Sequence, residues 1–209
     1  MNLIFDIDGT LWDTTKVVAD AWQRAVDEIG TVTTKLTPER LKKEFGKPMD
    51  VIAKNVFPEV EDDEDRKKLI KLCYKYEEEF LYGLSDEQVE DILFDQVRYT
   101  LTKLKEEHDL YIVSNCQKGY IDLFLEKSKL GHLFNDFLCF GDTNAPKGIT
   151  IKQLMMNNHL LEKHTLYIGD TIGDFEATLL AGIRFVFCKY GFGQVPNAEY
   201  QIDALSELL

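Results

Sequence analysis

Residues 4–14 read IFDIDGTLWDT. Together with the two residues before them, NLIFD (2–6) predicts a short buried strand that ends in Asp6. Asp8 follows two positions later, with Gly9 and Thr10 directly behind it. Side chains two apart on a strand share a face, so the segment aims two carboxylates at one spot. Like charges that close are costly unless a cation lies between them or one of them takes a proton. In open α/β sheets ligands collect beyond the carboxyl ends of the strands, and that is where the other polar clusters are sought.

Working outward, the pattern changes after Thr14. An amphipathic run covers 16–29, and TPERLKKEF follows with Thr37 as N-cap and Pro38 at the first helical position. Another helix is expected after Pro48. The segment EDDEDRKKLIKLCYKYEEEFLY then runs from acidic to basic, which suits a helix starting near 62. Strand-like runs are absent, so 15–85 reads as an all-helical insert. Beyond it, helices and strands alternate: a helix at 95–107, LYIVS (110–114), a helix at 117–129, DFLCF (136–140), a helix from Lys147, TLYIG (165–169), a helix at 172–181, RFVFC (184–188) and a short last helix. Short apolar strands separated by helices indicate a parallel sheet covered on both faces, an α/β fold. The expected domains are 1–14 with 86–209 as the core, and 15–85 as the insert.

The chain's 209 residues suffice for one main domain carrying a smaller one. A net charge of −13 without any basic stripe argues against nucleic acid or an anionic membrane as partner. No apolar run approaches a membrane span, no basic leader precedes the first strand, and the expected compartment is the cytoplasm. The four cysteines are scattered, with no CxxC spacing and no Cys/His cluster, which fits reduced buried thiols rather than zinc.

Four strand ends carry polar groups. The first ends in Asp6-Ile7-Asp8-Gly9-Thr10, the second in Ser114-Asn115; the third is followed by Asn144-Ala145-Pro146-Lys147-Gly148, and the fourth ends in Gly169-Asp170 with Asp174 close behind. Each alone has a plain explanation. DxDG is a polar turn after a strand. It also opens an EF-hand loop, but Thr10 and Val17 occupy the loop positions that need ligands, so calcium is rejected. Ser114 and Asn115 make a common turn, although a hydroxyl at a helix N-terminus can also hold an anion. Lys147 opposes the dipole of the helix it opens, a cost that a bound anion would offset. Asp170 and Asp174 suit a helix N-terminus. Taken together, Asp6, Asp8, Asp170 and Asp174 would repel one another strongly without a cation, and Mg²⁺ with its oxygen ligands fits best.

This set resembles the haloacid dehalogenase-like hydrolases. DIDGTLWD matches the first motif, DxDGTxxD; VSN (113–115), Lys147 and GDTIGD (169–174) match the second, third and fourth. The insert between the first two motifs looks like the cap of the phosphoglycolate phosphatase-like subgroup. The resemblance implies a Rossmann-like parallel-sheet core with a helical cap domain inserted, and a magnesium-dependent phosphatase of a small phosphorylated metabolite, phosphoglycolate-like or a sugar phosphate. Asp6 would be the nucleophile and Asp8 the acid and base. Asp6, the Asp8 carbonyl, Asp170 and Asp174 would serve the metal, and Ser114, Asn115 and Lys147 the phosphoryl oxygens. An acid at position 8 points to an oxygen leaving group rather than a halide. Lys147 departs from a Lys-Pro-x-Pro spelling of the third motif. FGKPMD (45–50) resembles the substrate-facing cap loop, making Lys47 a candidate for an anionic substrate group. Trp12 and Trp22 are expected to pack cap against core. The alternatives are a phosphomutase of the β-phosphoglucomutase type and a non-catalytic phosphate- and magnesium-binding protein on the same fold.

Overall fold

The computed structural model describes all 209 residues. After β1 (Asn2–Phe5) come four helices in succession: α1 (Thr15–Ile29), α2 (Pro38–Lys42), α3 (Met49–Val56) and α4 (Asp63–Tyr82). Thr37 caps α2 by accepting from the Arg40 amide, with Pro38 in the first turn. Asp62 caps α4, and Asp63, Glu64 and Asp65 fill its first turn, at the positive end of the helix dipole. The chain continues through α5 (Asp86–Ile92), α6 (Val97–Lys105), β2 (Asp109–Ser114), α7 (Tyr120–Ser128), β3 (Phe134–Cys139) and α8 (Phe140–Thr143). It ends with α9 (Lys147–Asn157), β4 (Thr165–Gly169), α10 (Ile172–Ala181), β5 (Arg184–Cys188) and β6 (Tyr200–Ile202).

Three expectations need correcting. The helix expected at 95–107 covers only Val97–Lys105, and α5 precedes it behind a Ser85 capping box. Leu93 pairs with Trp12 in an isolated β-bridge, and Gln96 takes φ 58°, so one continuous helix is not possible there. The last helix is a single 3₁₀ turn, Leu205–Leu208, and the edge strand β6 comes before it. The helix expected from 117 starts at Tyr120.

The six strands lie in the order β3-β2-β1-β4-β5-β6, all parallel. The order reverses beside β1, at a switch point of the kind where such sheets bind ligands. Alternate side chains of the buried strands point to opposite faces. Leu3, Phe5, Leu110 and Ile112 pack with Leu101, Leu104 and Phe124 from α6 and α7 on one face. Ile4, Tyr111, Val113 and Tyr167 pack with Ile151, Leu154 and Ala177 from α9 and α10 on the other.

The four successive helices hold a separate apolar cluster. Val18, Trp22 and Ala25 of α1 form a stripe at helical spacing, and they meet Leu41, Ile52, Leu69 and Cys73. Each fully buried aliphatic side chain of this kind contributes about 1.5–3 kcal/mol, and tertiary burial rather than propensity holds helices as short as α2 and α3 in place. Trp12 belongs to the sheet's cluster and Trp22 to the helices' own, so the two tryptophans do not share one packing surface.

Candidate active site

Asp6 stands one residue past β1, and its N–H still donates to the Ile168 carbonyl of β4 at 2.9 Å. Asp170 directly follows β4, Ser114 ends β2, and Lys147 opens α9. The sheet register therefore delivers the first three to one end of β1, β4 and β2, and the start of α9 brings Lys147 to them. All four are buried, as is Asp174 in the first turn of α10.

Lys147 Nζ lies 3.0 Å from Asp6 Oδ1 and 2.6 Å from Asp174 Oδ1. Asp174 is fully engaged, because its Oδ2 also accepts from the Asp170 amide, the Thr171 amide and the Thr171 hydroxyl. Asp170 Oδ2 accepts from the Phe192 amide at 2.7 Å. Two oxygens remain buried without any partner: Asp6 Oδ2 and Asp170 Oδ1. Asp6, Asp170 and Asp174 each present an oxygen within 4.8 Å of the others. Three carboxylates against one ammonium leave negative charge in excess, and unpartnered buried oxygens are expensive. The donor set fits a hard divalent cation with oxygen ligands.

The electrostatics agree. Burial pushes the Asp6 carboxyl up to about 6 even though Lys147 pulls it down. Burial, then Asp174 and Asp6, raise Asp170 well above the ordinary carboxylate range. Burial works against the Lys147 ammonium, but Asp174 and Asp6 outweigh it and raise its pKa above the usual lysine value. Without a cation, protons do the neutralising.

Gly9 makes room for this cluster. Its φ is +84°, and a Cβ there would stand 2.2 Å from Asp170 Oδ2. Only glycine takes that backbone conformation freely and leaves the carboxylate its place.

Asp8 does not join the cluster. β1 stops at Phe5, so the strand alternation expected to align Asp6 with Asp8 ends before it reaches them. Asp8 Oδ1 instead accepts from Tyr120 OH at 2.7 Å, and from Trp12 Nε1 and Thr14 Oγ1 at 3.1 Å each. Burial still outweighs these donors and lifts its carboxyl to about 7. Asp8 is thus a fixed carboxyl able to hold or give a proton near neutral pH, beside a more acidic Asp6.

The helices between β1 and β2 close over this end of the sheet. Asn115 Nδ2 donates to the Gly46 carbonyl at 2.8 Å, and Asn115 Oδ1 stays buried without a partner. The Gly46 backbone, at φ +87°, lies against Thr171, and Phe45 meets Phe192 edge-on. Beneath is a cavity of about 50 Å³ that Asp6, Asp8, Ser114 and Asn115 help to line. Lys47 also borders it, but its ammonium bonds Glu44 Oε2 at 2.8 Å.

Sequence reasoning missed several polar residues of this cavity, among them Gln117, Tyr120 and, most notably, Glu77. Glu77 of α4 is buried, and it accepts from Trp22 Nε1 and Gln117 Nε2 at 2.8 Å each. Burial pushes its carboxyl up to about 7. Its position carried a signal: it falls four residues after Cys73, on the apolar side of α4.

A family model described as haloacid dehalogenase-like hydrolase matches residues 3–188. The chain belongs to the haloacid dehalogenase-like hydrolase family. Among relatives of this family, a phosphoglycolate phosphatase from Aliivibrio fischeri is 26% identical over 213 residues, covering 98% of this chain and 91% of that protein. A structure described as a predicted phosphoglycolate phosphatase from Haemophilus somnus superimposes with a TM-score of 0.85 at 21% identity, covering 99% of this chain and 95% of that one. A haloacid dehalogenase-like family hydrolase from Streptococcus pneumoniae gives 0.83 at 20%, over 99% and 95% of the two chains. These superpositions support the α/β architecture described above, and the family makes the chain an enzyme, a hydrolase.

Proposed function

We propose that the chain is a magnesium-dependent phosphatase of a small phosphorylated metabolite, phosphoglycolate-like or a sugar phosphate, working through a phospho-aspartate on Asp6. One observation carries this reading: Asp6 Oδ2 and Asp170 Oδ1 are unpartnered and buried beside Lys147, at a small cavity that Asp6 helps to line. A carboxylate oxygen with no other occupation, next to a fixed ammonium, suits attack on a phosphoryl group.

Asp6 Oδ2 attacks phosphorus, and the bond from phosphorus to the ester oxygen breaks. Asp8 gives its proton to the departing oxygen, for which a carboxyl near 7 is well matched. Asp8 then takes a proton from the water that attacks the phospho-aspartate, and inorganic phosphate leaves with Asp6 restored. Ser114, Asn115 and Lys147 are assigned to the phosphoryl oxygens. Asp6, Asp170 and the main-chain carbonyl of Asp8 would hold Mg²⁺, with Asp174 fixing Lys147 and the α10 turn beside them. When bound, the cation would neutralise phosphoryl and carboxylate charge.

Residues 1–14 with 86–209 act as the catalytic core, and 15–85 as a cap whose closure excludes water. A 50 Å³ cavity is below the roughly 300–1,000 Å³ of ordinary ligand pockets, which favours a small substrate. Lys47 serves an anionic substrate group only if it leaves Glu44. The test is phosphate release from a panel of phosphorylated glycolate, sugars, nucleotides and pyrophosphate, with Mg²⁺ and with chelator. Turnover of a small phosphomonoester that chelator abolishes is expected. Equal turnover in chelator, or none on the panel, would sink the reading.

A further inference from the structure

We propose that Glu77 reads the leaving group: it selects phosphomonoesters whose alcohol carries a further hydroxyl or amino donor, and it disfavours those whose alcohol carries a carboxylate. This inference rests on the phosphatase reading above and narrows its substrate class.

Glu77 comes from α4 of the cap, yet it lines the same cavity as Asp6 and Asp8. Its two oxygens are fixed from opposite sides. Oε2 accepts from Trp22 of the cap, and Oε1 accepts from Gln117 of the core. The carboxylate cannot turn away without giving up both bonds. Each oxygen keeps further lone-pair capacity for a donor from the substrate. Asn115 adds a second free acceptor on the cavity wall, because Oδ1 is buried without a partner while its amide group is held by Gly46. Glu77 and Asn115 Oδ1 thus give this wall an excess of acceptors, with the Tyr74 hydroxyl beside them able to give or take a hydrogen bond.

No free cation balances them. Lys47 is the basic residue that borders the cavity; its side chain is 42% exposed and is paired with Glu44. A substrate carboxylate held here would face Glu77 and Asn115 Oδ1, and its one neighbouring cation, Lys47, would first have to leave Glu44. A hydroxyl or ammonium group would instead satisfy acceptors that otherwise stay empty. Rejection by repulsion adds to selection by attraction. Burial raises the Glu77 carboxyl to about 7, so the discrimination is fullest above neutral pH.

The experiment compares kcat/KM at pH about 8 with Mg²⁺ for glycerol phosphate, ethanolamine phosphate, phosphoglycolate and p-nitrophenyl phosphate, in the wild type and in Glu77→Gln. One of the two donor-bearing esters should exceed phosphoglycolate by at least about 30-fold, as sites built around buried polar groups discriminate. Which one leads separates hydroxyl from amine recognition. A folded Glu77→Gln, judged by its thermal melt, should shrink that ratio at least about fivefold through a gain on phosphoglycolate. Phosphoglycolate as the equal or better wild-type substrate overturns the inference, and so does a ratio that the substitution leaves unchanged. If Glu77→Gln does not fold, the wild-type ratio decides alone. Failure on p-nitrophenyl phosphate and every other ester removes the phosphatase reading and this inference together. Turnover of p-nitrophenyl phosphate with a preference for phosphoglycolate removes only the inference.

Discussion

The Lys147 ammonium stands 3.0 Å from Asp6 Oδ1 inside the protein, and it is shared with Asp174. This cation offsets part of the charge of three buried carboxylates in one place. Lys147→Ala leaves them uncompensated. Removing one partner from a buried ion pair typically costs about 3–5 kcal/mol. Urea unfolding in chelator should show a loss of that order, and Mg²⁺ should stabilise the variant more than the wild type. An unfolding midpoint equal to the wild type's would count against the charge balance described here.

Gly9→Ala should damage the site although it removes no ionisable group. The added Cβ would meet Asp170 Oδ2 at 2.2 Å on a backbone at φ +84°. Strain of this kind costs about 1–3 kcal/mol, and displacing Asp170 should lower kcat/KM at least about a hundredfold. Steady-state kinetics beside a denaturation curve would separate the two effects. A variant with wild-type kinetics would mean that Asp170 does not need its observed position.

Glu77 predicts a pH effect on stability. Its folded value of about 7 lies above the ordinary 4.5, so the folded state binds this proton more tightly than the unfolded chain. That stabilisation is complete below 4.5 and is lost as pH rises through 7, at most on the order of 3 kcal/mol. Glu77→Gln removes the titration. Relative to wild type, its thermal midpoint in chelator should improve between pH about 5 and about 8. A difference independent of pH would refute the tighter folded-state binding.

The Asn115–Gly46 hydrogen bond ties the helices between β1 and β2 to the end of β2. Such a bond is worth about 1 kcal/mol, roughly a fivefold shift in a closed population. Asn115→Ala should therefore speed hydrogen exchange of residues 43–48 about fivefold. Unchanged exchange would show that other contacts hold this loop in place.

Buried strands and first-turn chemistry were legible because they follow from local patterns. β1, β2, β4 and β5 are near-continuous apolar runs, and Thr37 and Asp62 cap helices as their residue types suggest. β6 was not legible, since Tyr200–Ile202 is a three-residue edge strand with two exposed members. The break between α5 and α6 was hidden for another reason: LFDQ contains no glycine or proline, and the bridge to Trp12 enforces the turn. Within the site, motif spacing pointed to Asp6, Ser114, Lys147, Asp170 and Asp174, and the fold brings them together. The separation of Asp8 from that cluster depends on where β1 stops. Glu77 sits in the run Glu77-Glu78-Glu79, which looks like a solvated face; its place four residues after Cys73, on the buried side of α4, was the weaker signal against that. Lys47 was singled out because FGKPMD resembles a substrate-facing loop, and its pairing with Glu44 lay outside that reading.

The central claim is that Asp6 carries the chemistry. Asp6→Asn keeps the shape and removes the nucleophile, and Lys147 retains Asp174 as a partner. The decisive measurement is p-nitrophenyl phosphate turnover by this variant beside wild type at saturating Mg²⁺. The account predicts a loss of at least about a thousandfold in kcat, as removal of a nucleophile gives elsewhere. A folded Asp6→Asn that turns over within about tenfold of wild type would contradict it.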